Sequence, residues 1–381
     1  MDFDLTDAQR EVRADARRFA IEQLDPIAFE IDRSQTTPPA VLARLGEEGW
    51  LGAALPACWG GGAFDPLSYG LATEEVGRAC ASVRSLMTVH NMAAQALVRF
   101  GNAEQQARWL PALCSGDRKI AFALTEPEVG SAANDIRCIA EETDEAFLLT
   151  GIKSWITYGQ IADLFLVIAR VADGPTAFVV ERDMPGLSIE PITDAFGTRG
   201  SMLARMHFDR VRVPKANRVG AKGAGVRFVA NTALDHGRFS VAWGATAIVR
   251  ACLAASTAYA VQREQGGCAL IEHQLIRRQL TDMLVLDTTA RALCRRSAEF
   301  RRTGNPDAAA ETALAKYHAA DAAQKAAAAA VKLHGGNGCS ADYPVARHLR
   351  DATVAGIIEG TQEMHQIALA SYARRRAHAE R

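Results

Sequence analysis

The segment from Asp342 to Gln366, DYPVARHLRDATVAGIIEGTQEMHQ, contains the strongest candidate for a reacting carboxylate in the chain. Glu359 follows the apolar residue Ile358 and precedes Gly360, and a glycine lets a ligand approach the backbone closely. A carboxylate on an apolar segment can have a raised pKa and serve as a general base near neutral pH. The alternative is a solvated acid at a helix end, and the other segments bear on that choice.

Length and charge limit the classes of protein to consider. The chain has 381 residues, of which 49% are hydrophobic and 23% charged, enough for a sizeable core and for two or three domains. Lys+Arg 43 against Asp+Glu 44 gives a formal net charge of -1, so no global field attracts nucleic acid or an anionic membrane. A nucleic-acid role also lacks a basic stripe or a recognition motif.

The cysteines and the N-terminal segment indicate the compartment. The eight cysteines are scattered, with no C-x-x-C pair and no clustering with histidine, which argues against a metal site and a disulfide framework. The opening MDFDLTDAQREVRADARRF lacks the apolar core of a secretory signal. We find no run of the length needed to span a bilayer. We therefore expect a cytoplasmic protein.

Helical periodicity dominates residues 1–116, which we assign to an N-terminal helical domain. The pattern Thr6-x-x-Gln9 is a capping box and predicts the start of the first helix. Further helices are predicted at 41–49, 71–99 and 103–113.

Residues 117–222 have the pattern of a β domain. Short apolar runs separated by turn residues predict strands at 120–124, 146–150, 164–168, 177–180 and 211–213. The connections are too short for crossover helices, which favours an antiparallel sandwich or barrel over a doubly wound sheet.

Residues 223–381 return to helical periodicity, in long segments at 224–264, 270–302, 306–334 and 345–375. Four long helices predict a four-helix bundle. The alanine-rich stretch 319–330 is interpreted as a closely packed helix. The predicted fold class is therefore α+β and mostly α: a helical domain, an antiparallel β domain and a helical bundle.

This domain order and three groups of motifs resemble the acyl-CoA dehydrogenase family over essentially the full chain. LTEPEVGS at 124–131 is similar to the family's first flavin-binding signature, and GIKSWIT at 151–157 to its second. Arg263 and Gln274 match positions that hold the FAD of a neighbouring subunit, and Gly335-Gly336-x-Gly338 and Glu359-Gly360-Thr361 complete the set. Together these matches are far more specific than any one of them.

The resemblance implies FAD, held by a distributed site, because no strand is followed by G-x-G-x-x-G and a helix. Trp155 would supply an apolar face for the isoalloxazine ring and Thr157 a donor near N5, while Thr125 and Ser131 suit the polar edge and pyrophosphate. The alternative for these motifs is a strand, a turn and a buried tryptophan. The full set of implied FAD residues is Phe122, Leu124, Thr125, Gly130, Ser131, Trp155, Thr157, Arg263, Gln274, Lys332, Gly335, Gly336, Thr361 and Glu363.

The implied reaction is the oxidation of an acyl thioester, in which a carboxylate removes the α-proton as hydride passes to the flavin. In the family the base is either the glutamate before Gly-Thr or a glutamate on the first long helix of the bundle. Gly237 stands at that second position, so Glu359 is the matching base. By resemblance its backbone amide binds the thioester carbonyl, Arg238 supports it electrostatically, and Asp235 faces the pantetheine arm. For Asp235 and Arg238 the alternative is a structural ion pair.

Three positions depart from the family pattern. Lys332 replaces a glutamine that contacts the FAD of the partner subunit, and Gly266-Gly267 replaces Phe-Gly. The third is Arg84, which falls with Ser85 on the helix that lines the acyl pocket, where fatty-acid enzymes carry an uncharged residue. A cation is costly beside an alkyl chain, so we hypothesise a short polar or carboxylate-bearing acyl group. The alternative is an arginine that extends from the helix face into solvent.

Two segments, 83–90 and 197–203, are similar to biosynthetic dehydrogenases of carrier-protein thioesters, such as those that make hydroxymalonyl or methoxymalonyl extender units for polyketides. In that case the oxidised carbon can bear oxygen. The alternatives are a catabolic short-chain acyl-CoA dehydrogenase that reduces an electron-transfer flavoprotein, an oxidase that reduces oxygen, and a flavin-free scaffold. A cofactor shared between subunits implies a homodimer or a homotetramer.

Overall fold

The computed structural model describes residues 5–379. Its first part is helical, as predicted, and the predicted capping box is present: the Gln9 amide donates to Thr6 Oγ1 (3.2 Å) and the Thr6 amide to Gln9 Oε1 (3.1 Å). The helix predicted at 71–99 is in fact two helices, because Cys80 has extended backbone. The N-terminal helices are α1 (Asp7–Phe19), α2 (Ala28–Ser34), α3 (Pro39–Glu47), α4 (Pro66–Ala79), α5 (Ala81–Phe100) and α6 (Ala103–Ser115).

The middle part is one eight-stranded sheet. Its strands are β1 (Ile120–Ala123), β2 (Ile139–Glu142), β3 (Ala146–Ile156), β4 (Leu164–Val171), β5 (Gly174–Glu181), β6 (Leu187–Pro191), β7 (Ala204–Pro214) and β8 (Arg218–Val219). The order is β6-β7-β3-β2-β4-β5-β8, and β1 pairs with β4.

The antiparallel prediction is confirmed for most of this sheet. The β1–β4 pairing is parallel, however, and so is the single bridge between β2 and β4. The sequence missed β2, β6 and β8, because each is short and none forms an apolar run.

The C-terminal part is the predicted helical bundle, with a small hairpin, β9 (Glu264–Gln265) and β10 (Cys268–Ala269), after its first helix. The fourth predicted segment is broken between residues 355 and 362. The bundle helices are α7 (Asn231–Gln262), α8 (Gln274–Arg302), α9 (Ala308–His334), α10 (Val345–Ala355) and α11 (Gln362–Ala379).

Helix α7 lies at the centre of the molecule and packs against α4, α5, α8 and α9. Buried alanines of α9, among them Ala319, Ala323 and Ala326, belong to the same core cluster as α7 residues, which confirms the prediction of close packing. Contrary to our expectation from sequence, one helical segment, Gly225–Gln262, is long and apolar enough to cross a membrane. Since 72% of its most apolar window is buried inside the protein, we interpret it as a core helix.

Candidate active site

Glu359 lies in the break between α10 and α11, with φ of 57°, and is followed by Gly360 with φ of 100°. Residues other than glycine rarely adopt this left-handed backbone, and such strain persists only where the surroundings enforce it. Two cations contact this backbone: Arg238 Nε of α7 donates to the Glu359 carbonyl (3.0 Å), and Lys316 Nζ of α9 donates to the Gly360 carbonyl (2.8 Å). The break therefore places the glutamate against α7 and α9.

The carboxyl group of Glu359 is desolvated. The residue is half-buried, and its Oε2 is buried without a hydrogen-bond partner among residues 5–379. Burial raises the pKa of Glu359 to about 7, although the charges of Arg238, Lys316 and Arg84 oppose the shift. A solvated acid at a helix end does not describe this group. Its pKa suits a general base at neutral pH.

The absence of a side chain at Gly237 makes room for this carboxylate. A Cβ built at Gly237 would lie 2.6 Å from Glu359 Oε2, which is a steric overlap. A Cβ at Gly244, on the same helix, would instead lie 2.8 Å from Arg84 Nε. The two glycines are seven residues apart, so they share one face of α7 and are separated by roughly 10 Å along its axis. Glu359 and Arg84 thus contact the same face of one helix.

We expect Gly237→Ala to slow reduction of the bound flavin at least tenfold, because a displacement of about 1 Å in a reacting group can cost a hundredfold. Gly244→Ala is the matched control, since it adds the same methyl group to the same helix but displaces Arg84. Stopped-flow absorbance with a neutral acyl thioester should show a large defect for Gly237→Ala and a small one for Gly244→Ala. Equal rates for the two variants would contradict this placement of Glu359.

Arg84 is buried in the centre of the protein, with 4% of its surface exposed. Its Nη1 donates to Thr88 Oγ1 (3.0 Å) and its Nη2 to Ser85 Oγ (3.4 Å), while Nε has no partner among the described residues. No carboxylate of residues 5–379 forms an ion pair with it within 4.0 Å. The alternative of an arginine extending into solvent is wrong. Buried charges are normally paired, so this guanidinium lacks the ionic partner that a buried charge usually has.

Asp235 forms the interhelical ion pair that the sequence left open as an alternative. Its Oδ2 accepts from Arg301 Nη1 of α8 at 2.6 Å, and Arg301 Nη2 also contacts His236 Nδ1 at 3.2 Å. Asp235 Oδ1 is buried without a partner. One carboxylate oxygen is therefore engaged in the bundle, and contact with a pantetheine arm remains a prediction. Arg238, in contrast, hydrogen bonds to the Glu359 carbonyl and forms no ion pair within the described part of the chain.

The two β-domain motifs leave a face suited to a flavin. Trp155, with φ of 62°, is the last residue but one of β3 and has 57% of its surface exposed, so the alternative of a buried tryptophan is wrong. The hydroxyl groups of Thr125, Ser131 and Thr157 form no hydrogen bond within residues 5–379. An exposed indole and unpaired hydroxyls in the same two motifs fit an aromatic ring with a polar edge. The residues present therefore fit FAD.

A buried ion pair supports the first motif, and sequence reasoning missed it. Lys153 Nζ, fully buried, donates to Glu126 Oε1 (2.7 Å) and to the Leu124 carbonyl (2.8 Å). Glu126 also accepts from the backbone amides of Arg137 (2.6 Å) and Cys138 (2.9 Å). These bonds join the 124–131 loop to β3. The sequence pointed to these two residues only by their positions, Glu126 in the first quoted motif and Lys153 in the second.

The remaining predicted FAD residues fall into two groups. Arg263, Gly335 and Gly336 line one cavity of about 390 Å³, together with Tyr259, His334 and Asn337. Gln274 and Lys332 are exposed and are not among its lining residues. Thr361 and Glu363 flank the start of α11, where Thr361 Oγ1 accepts from the Met364 amide (3.4 Å). Phe122 and Leu124 lie at the end of β1, and Gly130 is exposed in the loop that follows.

Comparison with known families gives three consecutive matches. Residues 6–117, 121–211 and 223–373 match the N-terminal, middle and C-terminal domains of acyl-CoA dehydrogenases. An acyl-CoA dehydrogenase of Bacillus subtilis is 36% identical over 97% of this chain and 98% of its own length. The mitochondrial short-chain specific acyl-CoA dehydrogenase of Mus musculus is 34% identical over 97% of this chain and 90% of its own.

Solved structures are similar over the whole chain. Butyryl-CoA dehydrogenase of Megasphaera elsdenii has a TM-score of 0.94 at 34% identity and covers 98% of this chain and 100% of its own. Glutaryl-CoA dehydrogenase of Mycobacterium smegmatis has a TM-score of 0.92 at 32% identity, covering 97% and 95%. FkbI, which serves biosynthesis of the methoxymalonyl extender unit of the polyketide FK520, has a TM-score of 0.87 at 32% identity, covering 95% and 98%.

Proposed function

The chain belongs to the acyl-CoA dehydrogenase family, FAD-dependent oxidoreductases of acyl thioesters, and we propose that its substrate is a short acyl thioester with a free carboxylate at the far end of the acyl group. One observation carries this proposal: a buried arginine without an ionic partner contacts the same face of α7 as the candidate base. A neutral alkyl chain would leave that cation unpaired on binding, which is costly. A carboxylate would form a charge-assisted pair with it.

The spacing of the two groups limits the length of the acyl chain. Gly237 and Gly244 mark positions roughly 10 Å apart along α7, one beside Glu359 and one beside Arg84. A reacting atom lies about 3–3.5 Å from its base, and a charged hydrogen bond takes about 2.8 Å. What remains is on the order of 4 Å, spanned by a few carbon–carbon bonds of about 1.5 Å. We therefore favour acyl groups between hydroxymalonyl and glutaryl in size, each of which has a hydride to give.

Each candidate residue has a separate role in the proposed reaction. Glu359 takes the α-proton on its desolvated carboxylate, and Arg84 with Ser85 and Thr88 orients the distal carboxylate. The backbone amide of Glu359 has no acceptor within residues 5–379, so it can donate to the thioester oxygen as negative charge develops. Bound FAD supplies the hydride acceptor. Trp155 and Thr157 would hold its ring, and Arg263 with Gly335 and Gly336 would offer a second cofactor surface.

We further propose that the acyl group is carried by an acyl carrier protein in extender-unit or related secondary-metabolite biosynthesis. The resemblance of segments 83–90 and 197–203 and the similarity to FkbI support this assignment. The second candidate is a catabolic short-chain acyl-CoA dehydrogenase, which the identity to the murine short-chain enzyme favours. Electron-transfer flavoprotein or oxygen would be the acceptor. We propose that the cofactor is shared between the subunits of a homodimer or homotetramer, with Arg263 and the cavity that it lines at the shared site. We also propose that the protein is cytoplasmic.

The anaerobic visible spectrum of the purified protein tests this function. We would mix the protein in turn with hydroxymalonyl, succinyl and glutaryl thioesters and with butyryl thioesters, each on a carrier protein and on CoA. Bleaching of the flavin band by the carboxylate-bearing members is the expected result, with the carrier-protein form reacting faster. Preferential bleaching by butyryl-CoA would support the catabolic candidate, and a protein purified without flavin would contradict both.

A further inference from the structure

Lys316 is a buried cation beside the candidate base, and none of the motifs identified it. We propose that Lys316 is a positioning residue for Glu359: with Arg238 it holds the strained Glu359-Gly360 backbone in place and keeps the carboxylate in its reactive form. This inference rests on the proposed function, because it assigns Lys316 a role only if Glu359 is the base.

The burial of Lys316 requires an explanation. Its side chain is completely buried in α9, and its Nζ donates to one group, the Gly360 carbonyl, at 2.8 Å. Within residues 5–379 no carboxylate forms an ion pair with it inside 4.0 Å. Desolvation lowers the pKa of Lys316 to about 8, against the attraction of Glu359. An unpaired ammonium contributes little to stability at such a position, so a role at the site accounts for it better.

The geometry shows what the lysine holds. The carbonyls of Glu359 and Gly360 are successive acceptors, and each receives a cationic donor from a different helix: Arg238 of α7 at 3.0 Å and Lys316 of α9 at 2.8 Å. Glu359, which lies between these two helices, is the residue with φ of 57°. A backbone in this region relaxes unless several contacts restrain it. Removing one donor should let the carboxylate move relative to Gly237.

The charges around Lys316 act on the protonation of Glu359. Glu359, Glu363 and His365 face it from the segment that carries the base, and Arg238 faces it from α7. Arg84 of α5 also acts on Glu359. The positive charge of Lys316, like those of Arg238 and Arg84, favours the ionised form of Glu359. Without it the pKa of Glu359 should rise further above its ordinary value, leaving less carboxylate at neutral pH.

The test uses Lys316→Met, which removes the charge and the donor, and Lys316→Arg, which keeps the charge. Lys325→Met is the matched control, since Lys325 lies on the same helix but is exposed and paired with Asp321 (2.7 Å). The rate of flavin reduction would be measured between pH 5.5 and 9, each protein first being checked for bound FAD and for its oligomer by gel filtration. The wild-type rate should rise with pH through about 7.

We expect Lys316→Met to lower the rate by on the order of 10–100-fold and to move its acidic limb to higher pH. Lys316→Arg should keep the acidic limb in place at a reduced rate, and Lys325→Met should match wild type. A merely structural lysine would lower the rate without moving the limb, so an unshifted limb in Lys316→Met overturns the proposal. If that variant does not fold, a shifted limb in Lys316→Arg overturns it instead.

Glu359→Gln, measured in parallel, separates this inference from the function on which it rests. If Glu359→Gln still reduces flavin, the assigned base is wrong and the proposed function fails first. If Glu359→Gln is inactive while Lys316→Met behaves as wild type, the function stands and the role of Lys316 alone is refuted.

Discussion

Replacement of Glu359 by glutamine is expected to leave FAD bound and to slow flavin reduction by at least a hundredfold. Glutamine has nearly the same shape but cannot accept the α-proton, and a lost general base typically costs 10²–10⁴-fold. The carboxyl group lies against Gly237, where the amide fits without displacing α7. The measurement is anaerobic stopped-flow absorbance with a saturating carboxylate-bearing thioester, after the flavin-to-protein absorbance ratio has been determined.

Glu145→Gln is the control for Glu359→Gln, because Glu145 is an exposed glutamate of the β domain that pairs with Arg212 on the surface (2.7 Å). It should retain the wild-type rate. A residual rate above about one hundredth in Glu359→Gln would exceed what a lost general base should leave, and another group would have to be the base.

Replacement of Arg84 by alanine is expected to discriminate between substrates. Removal of one member of a buried, hydrogen-bonded charge pair costs about 2–5 kcal/mol, so kcat/KM for a dicarboxylic thioester should fall by on the order of 30- to 4000-fold. A neutral butyryl thioester should lose little or gain, because the unpaired cation is gone. Steady-state kinetics on the two thioesters, with the same carrier and acceptor, gives the ratio directly.

Two further variants identify the cause of any loss of activity in Arg84→Ala. Arg84→Lys keeps the charge but not the fork of donors that contacts Ser85 and Thr88, so it should recover only part of the activity. Arg108→Ala removes an exposed arginine that pairs with Glu181 at the surface and should change neither substrate. Equal losses on dicarboxylic and neutral thioesters in Arg84→Ala would eliminate the carboxylate-binding hypothesis.

Local patterns predicted much of the architecture. The capping box at Thr6 and Gln9 and the apolar runs of β3, β4 and β5 depend on neighbours in sequence, and these features appear where they were expected. Predictions failed where local pattern and tertiary packing disagree. The periodicity of 345–375 continues through residues 356–361, yet the helix is interrupted there. The helix containing Cys80 is divided in the same way.

The family motifs identified Glu359, Trp155, Thr157 and Arg263 as residue types at matching spacings, but not their environments. Trp155 is exposed, and Gln274 does not line the cavity that contains Arg263. Asp235 is engaged by Arg301, which lies on a helix that starts about forty residues later in the chain. Lys153 and Glu126 were quoted within motifs without any indication that they pair.

The sequence alone therefore determined the order of the domains, the family and the chemistry available to each candidate residue, because these depend on residue type and local spacing. Only the tertiary structure decided which groups are desolvated and which are paired. The pKa of Glu359 depends on burial against α7 and α9, and Arg238 reaches it across 121 positions of sequence. Arg84 and Lys316 became candidates for substrate binding and positioning because folding buried their charges without carboxylate partners, and burial is a property of the packed helices.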